Sequence, residues 1–177
     1  MSPKVPQVPT PTYASYSFSF LFMSIELAVI GGTGVYALGE LADAESHQPV
    51  TPYGAPSGPI HVGTYAGKRV AFLARHGEGH SLPPHKINYR ANLAALKAIG
   101  ATRVLAMNTV GGITAQSGPR VLACPDQLVD YTWGRISTLC EEPGTEVVHV
   151  DFGDPYTPSL RAAVIAAARQ AGVALVD

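Results

Sequence analysis

Three apolar runs in this chain each end in a loop of glycines and polar donors, and that recurrence narrows the fold more than any other feature. Ile25 to Ile30 leads into Gly31-Gly32-Thr33-Gly34, Lys68 to Ala74 into Arg75-His76-Gly77-Glu78-Gly79-His80, and Arg103 to Met107 into Asn108-Thr109-Val110-Gly111-Gly112. Short apolar runs closed by glycine turns read as buried strands. Helical patterns alternate with them. Asn88 is placed to cap a helix from Tyr89 to Ile99, with Tyr89, Leu93 and Leu96 on one face and Gly100 as its stop. Thr157-Pro158 opens a second helix whose stripe is Leu160, Val164 and Ala167 and whose end is Gly172. Ile60 to Tyr65 and Lys68 to Ala74, separated by Ala66-Gly67, read as a hairpin, so the sheet is mixed. Leu128 to Tyr131 and Glu146 to Val150 are weaker strand candidates, and Gly172 to Asp177 reads as a last, short one. The expected class is α/β, a central mixed β-sheet flanked by helices, and such sheets bind ligands at the carboxyl ends of their strands.

Composition limits what that ligand is. Twelve basic against thirteen acidic residues give a net charge of -1, so no electrostatic footprint points to nucleic acid or to an anionic membrane. Hydrophobic residues make up 46% of the 177, enough for one core, and no run of apolar residues has the length of a membrane span. Cys124 and Cys140 match neither a disulfide framework nor a zinc spacing and read as reduced thiols of a cytoplasmic protein. Residues 1 to 24 differ from the rest, with four prolines in the first eleven positions and a Ser/Tyr/Phe-rich run after them. Lys4 is the only charge there and serines break the apolar run, which does not make a secretory signal. This segment reads as a disordered or spurious extension, with a natural start at Met23 and the domain proper over 25–177.

The three loops carry the chemistry. Glycines let backbone amides approach an anion, Thr33 and Thr109 add hydroxyl donors, and Arg75 offers a planar fork suited to phosphate oxygens. Each loop alone is compatible with a plain turn, and Arg75 with a surface ion pair; three at successive strand ends are what a phosphate pocket needs. Two rivals fail on spacing. Gly32, Gly34 and Ala37 satisfy a dinucleotide-binding pattern, but no acidic residue lies between Glu45 and Glu78 to meet a ribose, and the next clear element is extended. His76 and His80 would share a zinc ion only on a helix, and Gly77 and Gly79 between them oppose one. No metal and no cofactor is expected.

The segments IGGTG, TPYGAPS, FLARHGEGH, PPHKINYRANLAALK and NTVGGI, in this order, closely resemble the methylthioadenosine and methylthioinosine phosphorylases of the trimeric purine nucleoside phosphorylase family. The resemblance spans Ile25 to Asp177, and QLVDYTWGR (Gln127 to Arg135) with HVDFGDPY (His149 to Tyr156) is more similar to the methylthioinosine branch. It implies a homotrimer acting on a purine nucleoside and phosphate, in which Thr33, Arg75, His76, Thr109 and Val110 bind phosphate. His80 would lie toward the ribose, and His149 would reach the neighbouring subunit's site near the 5' substituent. Phosphate is then the nucleophile at C1', so no catalytic Ser or Cys is expected, and the anion also stabilises the cationic sugar as the glycosidic bond loosens. The family's base-contacting segments have no counterpart before Asp177. The chain therefore reads as C-terminally truncated and inactive by itself, with no catalytic residue in the fragment and the choice of purine open. A methylthioadenosine phosphorylase, a general purine nucleoside phosphorylase and a non-catalytic remnant are the alternatives.

Overall fold

The computed structural model describes residues 25–32, 41–140 and 146–177. Four of the sheet's strands come from the first half of the chain: β1 (Leu27–Gly31), β2 (Ala42–His47), β3 (Ile60–Tyr65) and β4 (Lys68–Ala74). After helix α1 (Tyr89–Ala98), strand β5 (Val104–Ala106) completes the sheet in the order β2-β3-β4-β1-β5. Pairing is antiparallel across β2-β3-β4 and parallel across β4-β1-β5, which makes the sheet mixed, as expected.

The hairpin has the bounds expected of it. Ala66 and Gly67 both take positive φ (48° and 75°), the turn whose twist matches that of two antiparallel strands. β1 lies between β4 and β5, and a parallel strand covered in this way needs an unbroken apolar run, which LAVIG supplies.

β2 was not expected. Its sequence, ADAESH, carries no apolar alternation and its first five residues are exposed, so it lies outside periodicity reasoning. What admits it is Gly63 on β3: a Cβ there would sit 2.7 Å from Leu41 Cβ and 2.8 Å from the Ala42 carbonyl. The register shifts between Ala42 and Glu45, where Asp43 has φ 52°.

The core lies between the sheet and α1. Ile25, Ala28, Ile30, Ile60, Val62, Ala71 and Leu73 pack there with Ala95, Leu96 and Ile99 of the helix segment. Full burial of Ile60, Leu73 and Leu96 is worth roughly 1.5–3 kcal/mol each. Asn88 caps α1 as expected, its Oδ1 accepting from the Ala91 amide at 3.0 Å. Gly100 (φ 88°) ends it, with the amides of Gly100 and Ala101 returning to the carbonyls of Lys97 and Leu96. The buried face differs from the expected one. Tyr89 and Leu93 are 38% and 48% exposed, whereas Ala91, Asn92, Ala95 and Leu96 are buried. Alanines win this face because a flat contact lets the helix backbone approach the sheet. Val29, Val70 and Phe72 form a second, smaller cluster with Leu27, Leu41 and Ala74.

Beyond β5 the chain packs less. β6 (Leu122–Ala123) and β7 (Leu175–Val176) form a separate parallel pair, joined through α2 (Pro158–Gln170). Thr157 stands at the α2 N-cap without a side-chain hydrogen bond, and no residue of α2 is buried, Ala167 included. Arg161 clips this unit together by donating to Asp177 and to the Cys124 and Pro125 carbonyls. Neither Leu128 to Tyr131 nor Glu146 to Val150 forms a strand; both are exposed and, among the described residues, have no partner edge. Arg103 to Met107 contracts to three residues that are half-buried or exposed, because β5 is the sheet's edge. Among the described residues no helix is long and apolar enough to cross a membrane. Residues 1 to 24, and with them the expected extension, lie outside the described residues.

Candidate functional site

Strand order decides which loops meet. β4, β1 and β5 are adjacent and parallel, so their carboxyl ends open on one edge of the sheet and bring Gly31-Gly32, the loop after β4 and the start of the loop after β5 side by side. Backbone hydrogen bonds carry the ladder into the loops: the Arg75 amide donates to the Gly31 carbonyl at 2.9 Å, Gly32 to Met107 at 3.1 Å and Met107 to Ile30 at 2.9 Å.

Arg75 crosses from β4 over β1 toward β5. Its Nη1 donates to the Met107 carbonyl at 3.4 Å, and its guanidinium lies directly over Gly32. A Cβ on residue 32 would fall 2.6 Å from Arg75 Nη2 and 3.1 Å from the Met107 carbonyl. Gly32 therefore serves as the seat of the arginine, a role that its place in a glycine-rich turn does not disclose. Arg75 is half-buried, so its planar fork is fixed while one side stays open.

His76 is buried at 6% exposure beside it. Its Nδ1 stands 2.9 Å from the Leu82 carbonyl, and its Nε2 lies 3.5 Å from Arg75 Nη2. Gly77 (φ 73°) makes the turn that follows, where a side chain would strike Ser81 Oγ at 2.8 Å and the Ser57 carbonyl at 3.0 Å. His80 returns to stack on His76, ring centroids 4.3 Å apart. Leu82, which orients His76, carried no signal in the sequence, because it acts through its carbonyl.

A polar network anchors the neighbouring segment 51–58. Buried Asn92 accepts from the Ser57 amide at 2.7 Å and donates to Ser57 Oγ at 2.9 Å, while Asn88 Nδ2 donates to the Tyr53 carbonyl at 2.7 Å. Arg90 lies 5.1 Å from the Tyr53 ring centroid, a cation–π contact. The TPYGAPS segment is thus pinned to the first turns of α1, with the Gly58 Cα side facing Gly77. Asn88 was legible as a cap; its second bond, and all of Asn92's, were not.

The structure brings Arg75, His76 and His80 together with Gly32 and the start of the β5 loop. Thr109 and Val110 follow Met107 in that loop and are exposed, Val110 at 78%. Thr33 lies outside the described residues, as do Gly34 and Ala37. His149 sits on the exposed stretch 146–150, and among the described residues no hydrogen bond ties it to the cluster.

A probable S-methyl-5'-thioinosine phosphorylase of Xanthomonas campestris pv. campestris is 74% identical over 153 residues, which are 86% of this chain and 61% of that protein. One of Xylella fastidiosa (strain 9a5c) is 64% identical over 87% of this chain and 65% of its own length. The chain thus spans a little over three-fifths of the curated relatives it matches. Among solved structures, a methylthioadenosine phosphorylase from an antarctic soil metagenomic library superposes with a TM-score of 0.76 at 38% identity, over 85% of this chain and 52% of that one. Residues 26–177 match the model of the Phosphorylase superfamily, and the chain belongs to that family.

Proposed function

We propose that this chain supplies the phosphate-binding part of a nucleoside phosphorylase that splits 5'-methylthio purine nucleosides, methylthioinosine first among them. One observation carries the reading: the carboxyl ends of three adjacent parallel strands meet around a single guanidinium, held over Gly32 and flanked by His76. Charge-assisted bonds from a fixed guanidinium and from loop amides suit a tetrahedral oxyanion. Relatives named for methylthioinosine and methylthioadenosine phosphorolysis support the choice of reaction.

In this reading Arg75 and His76 hold the phosphate, with Thr33, Thr109 and Val110 completing its cradle. An oxygen of that phosphate bonds to C1' as the glycosidic bond breaks, the purine leaves with the bonding electron pair, and a 5-methylthioribose 1-phosphate results. The anion does two jobs: it is the nucleophile, and its charge stabilises the oxocarbenium character of the sugar. His80, stacked on His76, lies toward the ribose. By the family resemblance, the assembly is a cytoplasmic homotrimer in which His149, on the exposed stretch 146–150, reaches a neighbouring subunit.

The test is phosphate-dependent release of hypoxanthine or adenine from the two 5'-methylthio-nucleosides, by a protein of the relatives' full length that carries these residues. Release that does not depend on phosphate would remove the proposal.

A further inference from the structure

Segment 51–58 touches two parts of the chain that lie far apart in sequence. At one end it meets the loop after β4: a Cβ on Gly77 would stand 3.0 Å from the Ser57 carbonyl, and one on Gly58 would stand 3.8 Å from the Gly77 Cα. At the other end a turn presents Tyr53. Buried Thr51 closes that turn, its hydroxyl donating to the Gly54 carbonyl at 2.6 Å and accepting from the Tyr53 amide at 3.2 Å. Asn88 and Asn92 pin both ends to α1, so the segment is held as one piece.

Tyr53 and Arg90 then act as a pair. The Tyr53 hydroxyl donates to the Leu139 carbonyl at 3.4 Å and Arg90 Nη1 to the Thr138 carbonyl at 3.5 Å, while the guanidinium stands over the Tyr53 ring. Bonds of that length are weak singly; aimed at two consecutive carbonyls and joined by the cation–π contact, they make a clamp. It closes on the end of a long exposed stretch, residues 125–139. Cys140 follows half-buried, its amide donating to Thr138 Oγ1 at 3.0 Å.

We propose that segment 51–58 is a strut through which occupancy of the anion site favours the closed Tyr53–Arg90 clamp on residues 138–140. The inference rests on the phosphate reading above and concerns what that binding moves. An anion held by Arg75 and His76 fixes Gly77, the next residue. Gly77 meets Ser57 with no side chain between them, so loop and strut hold one position together and Tyr53 stays on Leu139. Such coupling is reciprocal: the closed clamp favours the anion by the factor by which the anion favours the closed clamp.

The two cysteines provide the experiment. Cys140 adjoins the clamp and Cys124 lies in the β6 unit; both are half-buried, so alkylation by iodoacetamide requires local opening. Rates at each thiol are followed by peptide mass spectrometry on the 177-residue chain, with and without phosphate, at one pH. Phosphate should slow Cys140 by about 2- to 10-fold, the worth of one net hydrogen bond, and leave Cys124 unchanged. Tyr53→Phe, which keeps the ring and loses the hydroxyl, should shrink that effect. The double variant Tyr53→Phe/Arg90→Ala should abolish it, while calorimetry still finds phosphate bound, weaker by no more than the same factor. Bound phosphate that leaves Cys140 unchanged, slows both thiols alike, or slows Cys140 equally in the double variant overturns the inference and leaves the anion site standing. Absence of phosphate binding overturns the phosphate reading and this inference with it.

Discussion

Gly32→Ala separates the arginine's seat from the fold that provides it. The new Cβ would stand 2.6 Å from Arg75 Nη2 and 3.2 Å from Cζ, well inside van der Waals contact, and 3.1 Å from the Met107 carbonyl. The first two atoms are the far end of a flexible side chain, so the guanidinium yields and swings off β1. The third is backbone with less room to move, and relieving that contact costs on the order of 1 kcal/mol. Phosphate affinity should fall much further, because the displaced fork loses its charge-assisted bonds, worth about 1.5–3 kcal/mol each. One such bond corresponds to roughly 10- to 150-fold in Kd. Titration calorimetry with phosphate, paired with thermal unfolding of the same samples, reads the two effects apart. In an Arg75→Ala background the glycine substitution should add almost nothing to the loss of binding, since the two residues act as one unit. Unchanged phosphate binding by Gly32→Ala, or additive losses in the double variant, would refute the idea that Gly32 exists to seat Arg75.

Three further outcomes follow from particular contacts. Asn92→Ala leaves the Ser57 amide and hydroxyl without their buried partner, and urea unfolding should show a loss of about 1–3 kcal/mol. Lys68→Ala removes only an exposed ion pair with Glu26, so stability should change by less than about 1 kcal/mol and phosphate binding not at all. Asp130 is held below the usual carboxylate range by the Thr132 hydroxyl and then by the Thr132 amide, which donates to it at 2.8 Å. Its carboxyl should titrate by NMR at lower pH than in Thr132→Val. The turn's contribution is then present above the ordinary aspartate pKa and lost as pH falls through the depressed one.

The sequence was legible where local rules and tertiary packing agree. The hairpin of β3 and β4 could be bounded to the residue because alternating apolar runs flank a two-residue turn, and α1 to within one residue because Asn88 and Gly100 punctuate both ends. Arg75 and His76 stood out as polar residues directly after an apolar run, and strand order then brings that run's end beside β1 and β5. Strand β2 was hidden, since an exposed edge strand needs no apolar pattern and depends on Gly63 of its partner. Valines 147, 148 and 150 have strand-forming side chains, yet they are 69%, 61% and 75% exposed and pair with no strand among the described residues, because propensity without a partner edge makes no ladder. At the site, Gly32 under Arg75, the Met107 and Leu82 carbonyls and the two bonds of Asn92 to Ser57 were invisible for one reason. Each is a contact between residues apart in the sequence, which residue identity does not encode.

Under the proposed function, Arg75, fixed where three strands end, makes glycosidic cleavage depend on phosphate. The most direct test of that dependence is base release from methylthioinosine as a function of phosphate concentration, comparing Arg75→Ala with the unsubstituted protein at the relatives' full length and with Lys68→Ala as the control. A saturable phosphate dependence is expected, which Arg75→Ala shifts by about 10-fold or more in KM for phosphate and Lys68→Ala leaves in place. An equal response to both substitutions, or turnover by Arg75→Ala with an unaltered phosphate dependence, would contradict it.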